Sequence, residues 1–428
     1  MNYITVDIPS ANGKTYPLNI PDNGRVTVAH GAEFPNLPDP SELIREALDN
    51  PIGSPKIEDM VKPGNKICII SDDVTRPTPV HLVVAELLPR LLNAGIKKED
   101  IIFVMALGSH RRMTREEMAA KLGQNVVDEY TVLNSEFSDP ELLTEVGTSQ
   151  MGTPIRVFKP AMEADFRISI GNIIPHGCMG WSGGAKILYP GITSEDIVSE
   201  FHVMQGFQDG IVYGMDECPV RLAVEEWTKN IGLHYIINTV LDEDMDLYRV
   251  VAGHYVQAHR KAVSYAQTVC GVPVDRQPDV ILTSAYPIAF DFWQCGKAAY
   301  GPARVIREGG ELLLLAACTE GVGPHPQMLD YMALENGKEE LERRVKSGST
   351  GEDLLTMAVG VSMGRVARHA HMTLITDGLT EEECRRGIMG HAPEAALQQT
   401  LEEALAKFDD PFLLILSEGG EIIPMLEA

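Results

Sequence analysis

The chain has 428 residues, of which 44% are hydrophobic and 23% charged, and its formal net charge is −25. Its length favours two domains over a single core. The negative charge argues against nucleic acid and anionic membranes as partners, since both bind basic surfaces. A small anionic ligand stays compatible with this charge, because one local group of arginines and lysines is enough to bind it.

The seven cysteines are scattered and form no CxxC pair, a pattern typical of reduced thiols in a cytosol. The N-terminal residues contain no basic segment followed by an apolar one, so no signal peptide is predicted. No apolar run reaches the length of a membrane span. We therefore expect a cytoplasmic protein with no membrane partner.

Paired strands and a short helix open the chain. Residues 3–20 alternate between apolar and polar side chains on both sides of the turn Ala11–Lys14, which predicts two antiparallel strands. A segment rich in Pro, Asp and Gly follows. Within it, a short helix is predicted at Ser41–Leu48, with Ser41 as its N-cap.

A strand–helix–strand unit comes next. Two continuous apolar segments, Lys66–Ser71 and Ile101–Ala106, have the composition of buried parallel strands. Leucines and valines at helical spacing predict the helix Val80–Ala94 between them. Each strand runs into a polar cluster, at Asp72–Pro79 and at Gly108–Thr114. Both clusters are candidate binding segments, because ligands of open α/β sheets bind at the carboxyl ends of strands.

A glycine-rich loop is the most distinctive segment of the chain. It follows the apolar strand Phe166–Ile170, contains five glycines between Gly171 and Lys186, and ends in Ser-Gly-Gly-Ala-Lys. Glycines let a backbone approach a ligand closely, and backbone N–H groups can bind a phosphate. Lys186 adds a charge or a point of covalent attachment. The spacing is not that of a Walker loop.

The α/β alternation continues to the C-terminus. A helix at Ser194–Met204 contains His202, and Gly271–Val274 interrupts the pattern. We place a boundary there, which predicts an N-terminal domain at residues 1–272 and a C-terminal domain at residues 273–428. The expected fold is therefore two α/β domains with mainly parallel sheets and the active site in the interdomain cleft.

Each candidate residue also has a structural explanation by itself. Asp73 or Thr75 is a suitable helix cap, Lys297 on a helix is usually solvated, and a histidine such as His202 on an amphipathic helix is more often a core residue. The glycine loop is harder to explain, since a turn needs only one or two glycines. Together, the histidines and cations near strand ends indicate a site for a small anionic substrate. Paired histidines at such a site can serve as acid and base, and a third histidine can bind a metal.

Six segments combine these residues in one order: Asp73-x-Thr75-Arg76-Pro77, Gly108-x-His110-Arg111, Pro175-His176, Ser182-Gly183-Gly184-x-Lys186, His202 and Gln294-x-x-Lys297. This combination resembles the nickel-dependent lactate racemase family, with a match that runs from about residue 65 to 300. The resemblance implies a nickel-pincer nucleotide, the nickel complex of pyridinium-3,5-bisthiocarboxylic acid mononucleotide. It also implies cofactor-biosynthesis enzymes as partners in maturation.

The resemblance further implies a role for each matching residue. Lys186 would carry the cofactor through a thioamide link, His202 would be the fourth nickel ligand, and His110 and His176 would be the acid/base pair. The remaining cofactor-binding positions would be Asp73, Thr75, Ser182, Gly183 and Gly184. The positions that hold the substrate would be Arg76, Trp293, Gln294 and Lys297.

The implied reaction is inversion of C2 of a 2-hydroxy acid by proton-coupled hydride transfer. Trp293 stands where lactate-specific members carry a tyrosine, and the segment Gly177–Trp181 need not match them. The substrate's side chain therefore stays open, and a sugar-acid (gluconate-type) 2-epimerase is an alternative. A non-catalytic nucleotide- or anion-binding protein and a three-histidine zinc hydrolase are the alternatives from other classes.

Overall fold

The computed structural model describes residues 3–32, 34–108, 110–288, 290–348, 352–420 and 422–427. All seven cysteines are buried free thiols. In this described part of the chain, no helix has both the length and the apolar character needed to cross a bilayer.

Strands and helices alternate along most of the described chain. The strands are β1 Tyr3–Pro9, β2 Thr15–Pro21, β3 Val26–Ala29, β4 Ile67–Asp72, β5 Ile101–Ala106, β6 Thr131–Asn134, β7 Leu143–Thr148, β8 Pro154–Phe158, β9 Phe166–Asn172, β10 Pro175–His176, β11 Gly180–Trp181, β12 Tyr235–Leu241, β13 Leu247–Gly253, β14 Gly271–Val274, β15 Val280–Ser284, β16 Glu311–Leu315, β17 His371–Ile375, β18 Gly390–Ala392, β19 Leu413–Leu416 and β20 Ile423–Leu426. The helices are α1 Pro40–Asp49, α2 Ile57–Met60, α3 Val80–Asn93, α4 Arg115–Leu122, α5 Gln124–Glu129, α6 Lys159–Met162, α7 Glu195–Phe207, α8 Pro219–Ile231, α9 Gln257–Cys270, α10 Phe292–Cys295, α11 Met328–Met332, α12 Gly337–Lys346, α13 Glu352–His369, α14 Glu381–Arg386 and α15 Leu397–Leu405.

The chain divides into two compact units. The N-terminal unit consists of Ala32–Phe201 and Met215–Val269. The C-terminal unit consists of Met1–Gly31, His202–Gly214 and Cys270–Ala428. The predicted boundary at residues 272/273 lies close to the division at Val269/Cys270. The difference is that the first 31 residues and the segment His202–Gly214 group with the C-terminal unit.

The N-terminal unit is built on a six-stranded sheet of order β13-β12-β9-β4-β5-β6. All neighbours in it are parallel except β12 and β13. Every residue of β4 and of β9 is buried, as expected for parallel strands covered on both faces. The core joins these strands to α1, α3 and α4 through side chains such as Leu43, Leu87 and Met118.

The C-terminal unit is built on a six-stranded, fully parallel sheet of order β18-β17-β16-β15-β19-β3. Its β3 comes from the N-terminus of the chain and pairs along β19, which satisfies backbone groups that β19 would otherwise expose as an edge strand. Ile8, Leu18 and Ile20 of the first hairpin join the core of this unit. These two contacts explain why the first residues group with the C-terminal unit.

The predicted fold class, α/β with mainly parallel sheets, is confirmed by both sheets. One local prediction is wrong: Asp39, not Ser41, is the N-cap of α1. The carboxylate of Asp39 accepts a hydrogen bond from the backbone N–H of Ser41 at 2.9 Å. The helix begins one residue earlier than predicted, because Pro40 is well suited to the first helical position.

Candidate active site

Three adjacent strands of the N-terminal unit end at one edge of its sheet. β4 pairs in parallel with β5 on one side and with β9 on the other, so the segments that follow these strands leave the sheet at the same edge. The backbone N–H of Gly108 donates to the carbonyl of Gly191 at 2.8 Å, which links the loop after β5 to the region after β9. The three candidate binding segments of this unit therefore lie together.

Asp73 and His110 form a hydrogen-bonded pair at this edge. Nδ1 of His110 lies 2.6 Å from Oδ2 of Asp73, while Oδ1 of Asp73 accepts from the N–H and the hydroxyl of Thr75 at 3.0 and 2.5 Å. Burial acts to raise the pKa of Asp73, but the bonds from His110 and Thr75 outweigh it and lower the pKa to about 2. The ionised carboxylate holds a proton on Nδ1 of His110, so Nε2 is the ring nitrogen that can act as a base. The side chain of His110 is 51% exposed.

A buried lysine holds the segment that carries Asp73 and Arg76. Lys121 of α4 lies 2.8 Å from Oδ1 of Asp72 and donates to the carbonyl groups of Asp73 and Arg76 at 3.0 and 2.6 Å. The hydroxyl of Thr78 donates to Oδ2 of Asp72 at 2.5 Å. Burial raises the pKa of Asp72, and the charge of Lys121 opposes this rise. The backbone that carries the half-buried Arg76 is thus tied to α4.

The glycine loop is held by hydrogen bonds within the protein. The hydroxyl of Ser182 donates to the carbonyl of Asn172 at 2.6 Å and accepts from the N–H of Ile174 at 2.8 Å. The N–H of Gly184 donates to the side-chain oxygen of Asn238 at 2.9 Å. These bonds fix the start and the end of the loop against β9 and β12.

Gly183 and Gly184 are required by the backbone conformation and by packing. Their φ angles of 70° and 58° lie in the left-handed region, which favours glycine. A Cβ at Gly183 would collide with the side chain of Ile173, and one at Gly184 with the ring of His259. The sequence predicted these glycines as ligand-binding positions, and the structure adds this internal reason for their presence.

Lys186 lies on the 3-10 turn Gly184–Ile187 at the end of the loop. Its backbone N–H donates to the carbonyl of Gly183 at 3.3 Å, and its side chain is partly buried. Burial and the positive charges of Arg76 and Arg221 lower the pKa of Lys186 to about 8. The amine therefore loses its proton more readily near neutral pH than an ordinary lysine does, as a nucleophile requires.

His176 lies in the short hairpin that follows β9, opposite Gly180. Its ring makes an edge-on contact with Phe201, with centroids 6.0 Å apart. The backbone N–H of Cys178 donates to Nδ1 of His176 at 3.2 Å, which places the proton of the neutral ring on Nε2. His176 and His110 are thus held as opposite tautomers.

The predicted substrate-binding residues of the C-terminal unit lie around α10. Asp291 caps this helix by accepting from the N–H of Gln294 at 2.9 Å. Nζ of the exposed Lys297 donates to the side-chain oxygen of Gln294 at 2.6 Å, which leaves the NH₂ group as the donor end of Gln294. The ring of Trp293 packs against that of His325, with centroids 4.6 Å apart. Lys297 and Gln294 thus offer a positive charge and N–H donors suited to a carboxylate.

His202 is a half-buried residue of α7 and the first residue of the segment assigned to the C-terminal unit. Three positions further along this helix, the side-chain amide of Gln205 donates to the hydroxyls of Tyr300 and Ser362 at 3.4 and 3.2 Å. These bonds anchor the C-terminal half of α7 within that unit.

The described side chains do not form a metal site by themselves. Among them, no group of three or more His, Cys, Asp or Glu residues is placed to hold a metal ion. The three-histidine zinc site considered as an alternative therefore finds no support in the described residues. A nickel ion bound by His202 would need its other donors from a bound group.

Three buried side chains that support the site were not predicted: Lys121, Arg221 and His259. The sequence pattern could have indicated Arg221, since it lies at helical spacing with Val224 and Thr228, which are buried in α8. A charged residue on a buried helix face needs a specific partner. No feature of the sequence indicated Lys121 as a buried residue, because lysine is common in the last turn of helices.

Comparisons with known proteins agree on one family. The family described as lactate racemase N-terminal domain matches residues 12–211. A lactate racemase from Thermoanaerobacterium thermosaccharolyticum is 24% identical over an alignment of 428 positions that covers 98% of each chain. A lactate racemase from Lactiplantibacillus plantarum is 26% identical over an alignment of 411 positions that covers 94% of each chain.

Two solved structures are similar in fold. The lactate racemase apoprotein from T. thermosaccharolyticum has a TM-score of 0.83 at 23% identity, with 99% of this chain and 100% of that chain covered. A crystal structure of a Thermotoga maritima protein has a TM-score of 0.65 at 23% identity, with 90% and 98% covered. At these identities, the two similarities show the fold alone.

Proposed function

Residues 12–211 belong to the lactate racemase N-terminal domain family, and on that premise we propose that the chain is an isomerase that inverts C2 of a 2-hydroxy acid. The two lactate racemases that match nearly the whole chain support this reaction class for the chain as a whole. The observation that carries the proposal is the Asp73–His110 pair at the same sheet edge as the nucleophilic amine of Lys186.

The residues at this edge fit a lysine-tethered nickel-pincer nucleotide. The low pKa of Lys186, about 8, suits an amine that forms a thioamide. Two buried donors near the loop, Nδ2 of Asn172 and Nε1 of Trp181, have no hydrogen-bond partner among the described residues, and such donors suit acceptor atoms of a bound group. His202 would be the protein's ligand to the nickel, whose other donors would come with the group.

When bound, this group would supply a carbon that accepts and returns a hydride. Binding and proton transfer would fall to the side chains of the protein. Arg76, Gln294 and Lys297 carry the N–H donors that would hold the carboxylate and hydroxyl of the substrate. Loss of the α-hydrogen as a hydride avoids a dianion, because the neighbouring carboxylate is already negative.

His110 would accept the hydroxyl proton of one enantiomer at Nε2. Asp73 keeps a proton on Nδ1 and stabilises the imidazolium that forms. The planar 2-keto acid that results offers its other face to the returning hydride, and a second acid must then protonate the new hydroxyl.

His176 would be that second group, and it needs a change of hydrogen bonding to act. To take or give a proton at Nε2, its ring must carry a proton on Nδ1. In the structure, Nδ1 accepts the N–H of Cys178 instead. We therefore infer that His176 gives up this bond during the reaction cycle.

A sugar-acid 2-epimerase is the second candidate. It is favoured by the half-buried Trp293 and its partner His325, since an indole N–H and an imidazole offer hydrogen bonds to a polyhydroxy chain.

The 2-hydroxy acid would in either case be small and anionic. Maturation would require the enzymes that make the cofactor.

A substrate screen tests the proposal. Protein co-expressed with the cofactor-making enzymes is incubated in D₂O with single enantiomers of lactate, larger 2-hydroxy acids and gluconate, and products are separated by chiral chromatography. We expect inversion at C2 without deuterium at C2, because a returned hydride does not exchange with solvent. Intact mass should show an increment that Lys186→Ala loses. Protein that carries the increment but inverts no substrate would indicate a binding protein.

A further inference from the structure

A buried arginine lies under the loop that ends at Lys186. The side chain of Arg221 on α8 is 0% exposed. Its guanidinium donates to the carbonyl groups of Trp181, Ser182 and Gly183, at 3.4 Å for Ser182 and 3.3 Å for Gly183. Burial lowers the pKa of Arg221 to about 10, so the group stays protonated at neutral pH. One charged group therefore holds three successive carbonyls of the loop.

His259 provides a second bond to the same loop. Arg260 donates to Nδ1 of His259 at 3.0 Å, which places the proton of the neutral ring on Nε2. This nitrogen lies 2.9 Å from the carbonyl of Ser182 and donates to it. Burial and the charge of Arg221 keep the pKa of His259 well below its usual value, so the ring stays neutral.

The carboxylate beside Arg221 is bound mainly by another arginine. Arg260 makes two hydrogen bonds to Glu225, at 2.8 and 2.9 Å, whereas Nε of Arg221 lies 4.0 Å from Glu225. The hydrogen bonds of the Arg221 guanidinium therefore go to the loop. Burying an arginine reduces the stability of the fold unless well-placed acceptors bind its N–H donors.

The carbonyl of Gly183 joins Arg221 to Lys186. It accepts from Nη1 of Arg221 at 3.3 Å and from the backbone N–H of Lys186 at 3.3 Å. The charged and titratable groups that act on the amine of Lys186 are Arg76, Asp73, Cys178 and Arg221.

We propose that Arg221 is a positioning residue for Lys186: by holding the carbonyls of residues 181–183, it keeps the turn Gly184–Ile187 in the conformation that presents the lysine amine for covalent attachment of the cofactor. The proposal rests on the proposed function. In the attachment step, the neutral amine forms a C–N bond to a thiocarboxylic acid carbon. The oxygen leaves as water, with one proton from the amine and one from the thioacid, and the sulfur stays in the thioamide.

Arg221→Lys separates geometry from charge. A lysine keeps the positive charge but cannot reproduce the planar fork that spans three carbonyls. We expect cofactor loading, followed as intact mass after co-expression for fixed times, to slow about ten-fold, the effect of losing one or two charge-assisted bonds. The pH midpoint of Lys186 acetylation in the unloaded protein, measured by mass spectrometry with trace acetic anhydride, should stay near that of the wild type. Loading of Arg221→Lys at the wild-type rate would overturn the proposal.

Arg221→Met removes both the charge and the fork. We expect slow loading together with acetylation of Lys186 at neutral pH lowered by up to about ten-fold, because losing a nearby cation favours the protonated amine. If Arg221→Met fails to fold, the result with Arg221→Lys decides.

Arg167 offers a matched control. It is a buried arginine of the same unit that binds the carbonyls of Ala161, Ala164 and Gly232 at 3.0, 2.6 and 2.6 Å, none of them in the glycine loop. Arg167→Met should lower stability while Lys186 is labelled and loaded as in the wild type. Equal losses of labelling and loading in both methionine variants would show a general effect of destabilisation and refute a specific role. Wild-type protein that gains no mass at Lys186 would refute the proposed function. The role of Arg221 is then judged by the rate at which Lys186 is acetylated above its pH midpoint, and equal rates in Arg221→Lys and in the wild type would overturn that role independently.

Discussion

Replacing Asp73 with asparagine should invert the tautomer of His110. In the wild type, Oδ1 of Asp73 accepts two bonds from Thr75, and Oδ2 faces Nδ1 of His110. An asparagine has a single side-chain oxygen, which must stay opposite Thr75 because the N–H and the hydroxyl of Thr75 both donate hydrogen bonds there. The NH₂ group of the asparagine then faces His110. Nδ1 then becomes an acceptor, the proton moves to Nε2, and the ring can no longer act as a base there.

The expected losses follow from this geometry. Losing a general base lowers rates by roughly 10²–10⁴-fold, so inversion by cofactor-loaded Asp73→Asn should fall within that range. The fall in the pKa of Asp73 from 3.8 to about 2 corresponds to about 2 kcal/mol. Because this pKa is lowered in the folded state, the stabilisation is present above the unfolded value and lost as pH falls toward 2. Urea denaturation should show the variant less stable by about 2 kcal/mol at neutral pH, with the difference disappearing in acid.

The tautomer itself can be measured without turnover. In ¹⁵N-histidine-labelled unloaded protein, the ring nitrogens of His110, identified by their absence in His110→Gln, should change from a protonated Nδ1 in the wild type to a protonated Nε2 in Asp73→Asn. A protonated Nδ1 retained in the variant, with inversion near the wild-type rate, would refute the reasoning.

Three further predictions test other parts of the site. His202→Ala should lower the nickel content of matured protein while thermal unfolding is unchanged, and full nickel occupancy would return His202 to a packing role. His110→Ala and His176→Ala should each abolish net inversion. Each variant should still give a stopped-flow absorbance change with one enantiomer of the substrate, and the reactive enantiomer should be the opposite one in the two variants. Near wild-type inversion by either variant would contradict two-base catalysis. Lys121→Met leaves the buried Asp72 without its cation and should reduce the free energy of unfolding by roughly 3–5 kcal/mol; an unchanged urea midpoint would show that this pair does not stabilise the fold.

Local features of the sequence were enough to predict the α/β fold and the position of the candidate site along the chain. The bounds of α3 and β5 agree with their predictions within one residue, because apolar runs and helical spacing are properties of neighbouring residues. The clusters after β4 and β5 and the loop after β9 could be chosen as binding segments because the carboxyl ends of parallel strands share one edge. The resemblance to one family followed from the order of short motifs, each of which is also local.

Contacts between distant segments were decided only by the tertiary structure. Asp73 and His110 are 37 positions apart. The family resemblance implied that Asp73 belongs to the cofactor pocket, and nothing local in the sequence pairs a carboxylate after one strand with a histidine after the next. Arg221 binds carbonyl groups 38 to 40 positions away. It does so from α8, and the spacing of apolar residues in the sequence does not specify that this helix packs against the loop. The grouping of the first 31 residues with the C-terminal unit likewise rests on the pairing of β3 with β19. A strand's composition indicates that it needs neighbours, but the neighbour is selected by the packing of the whole sheet.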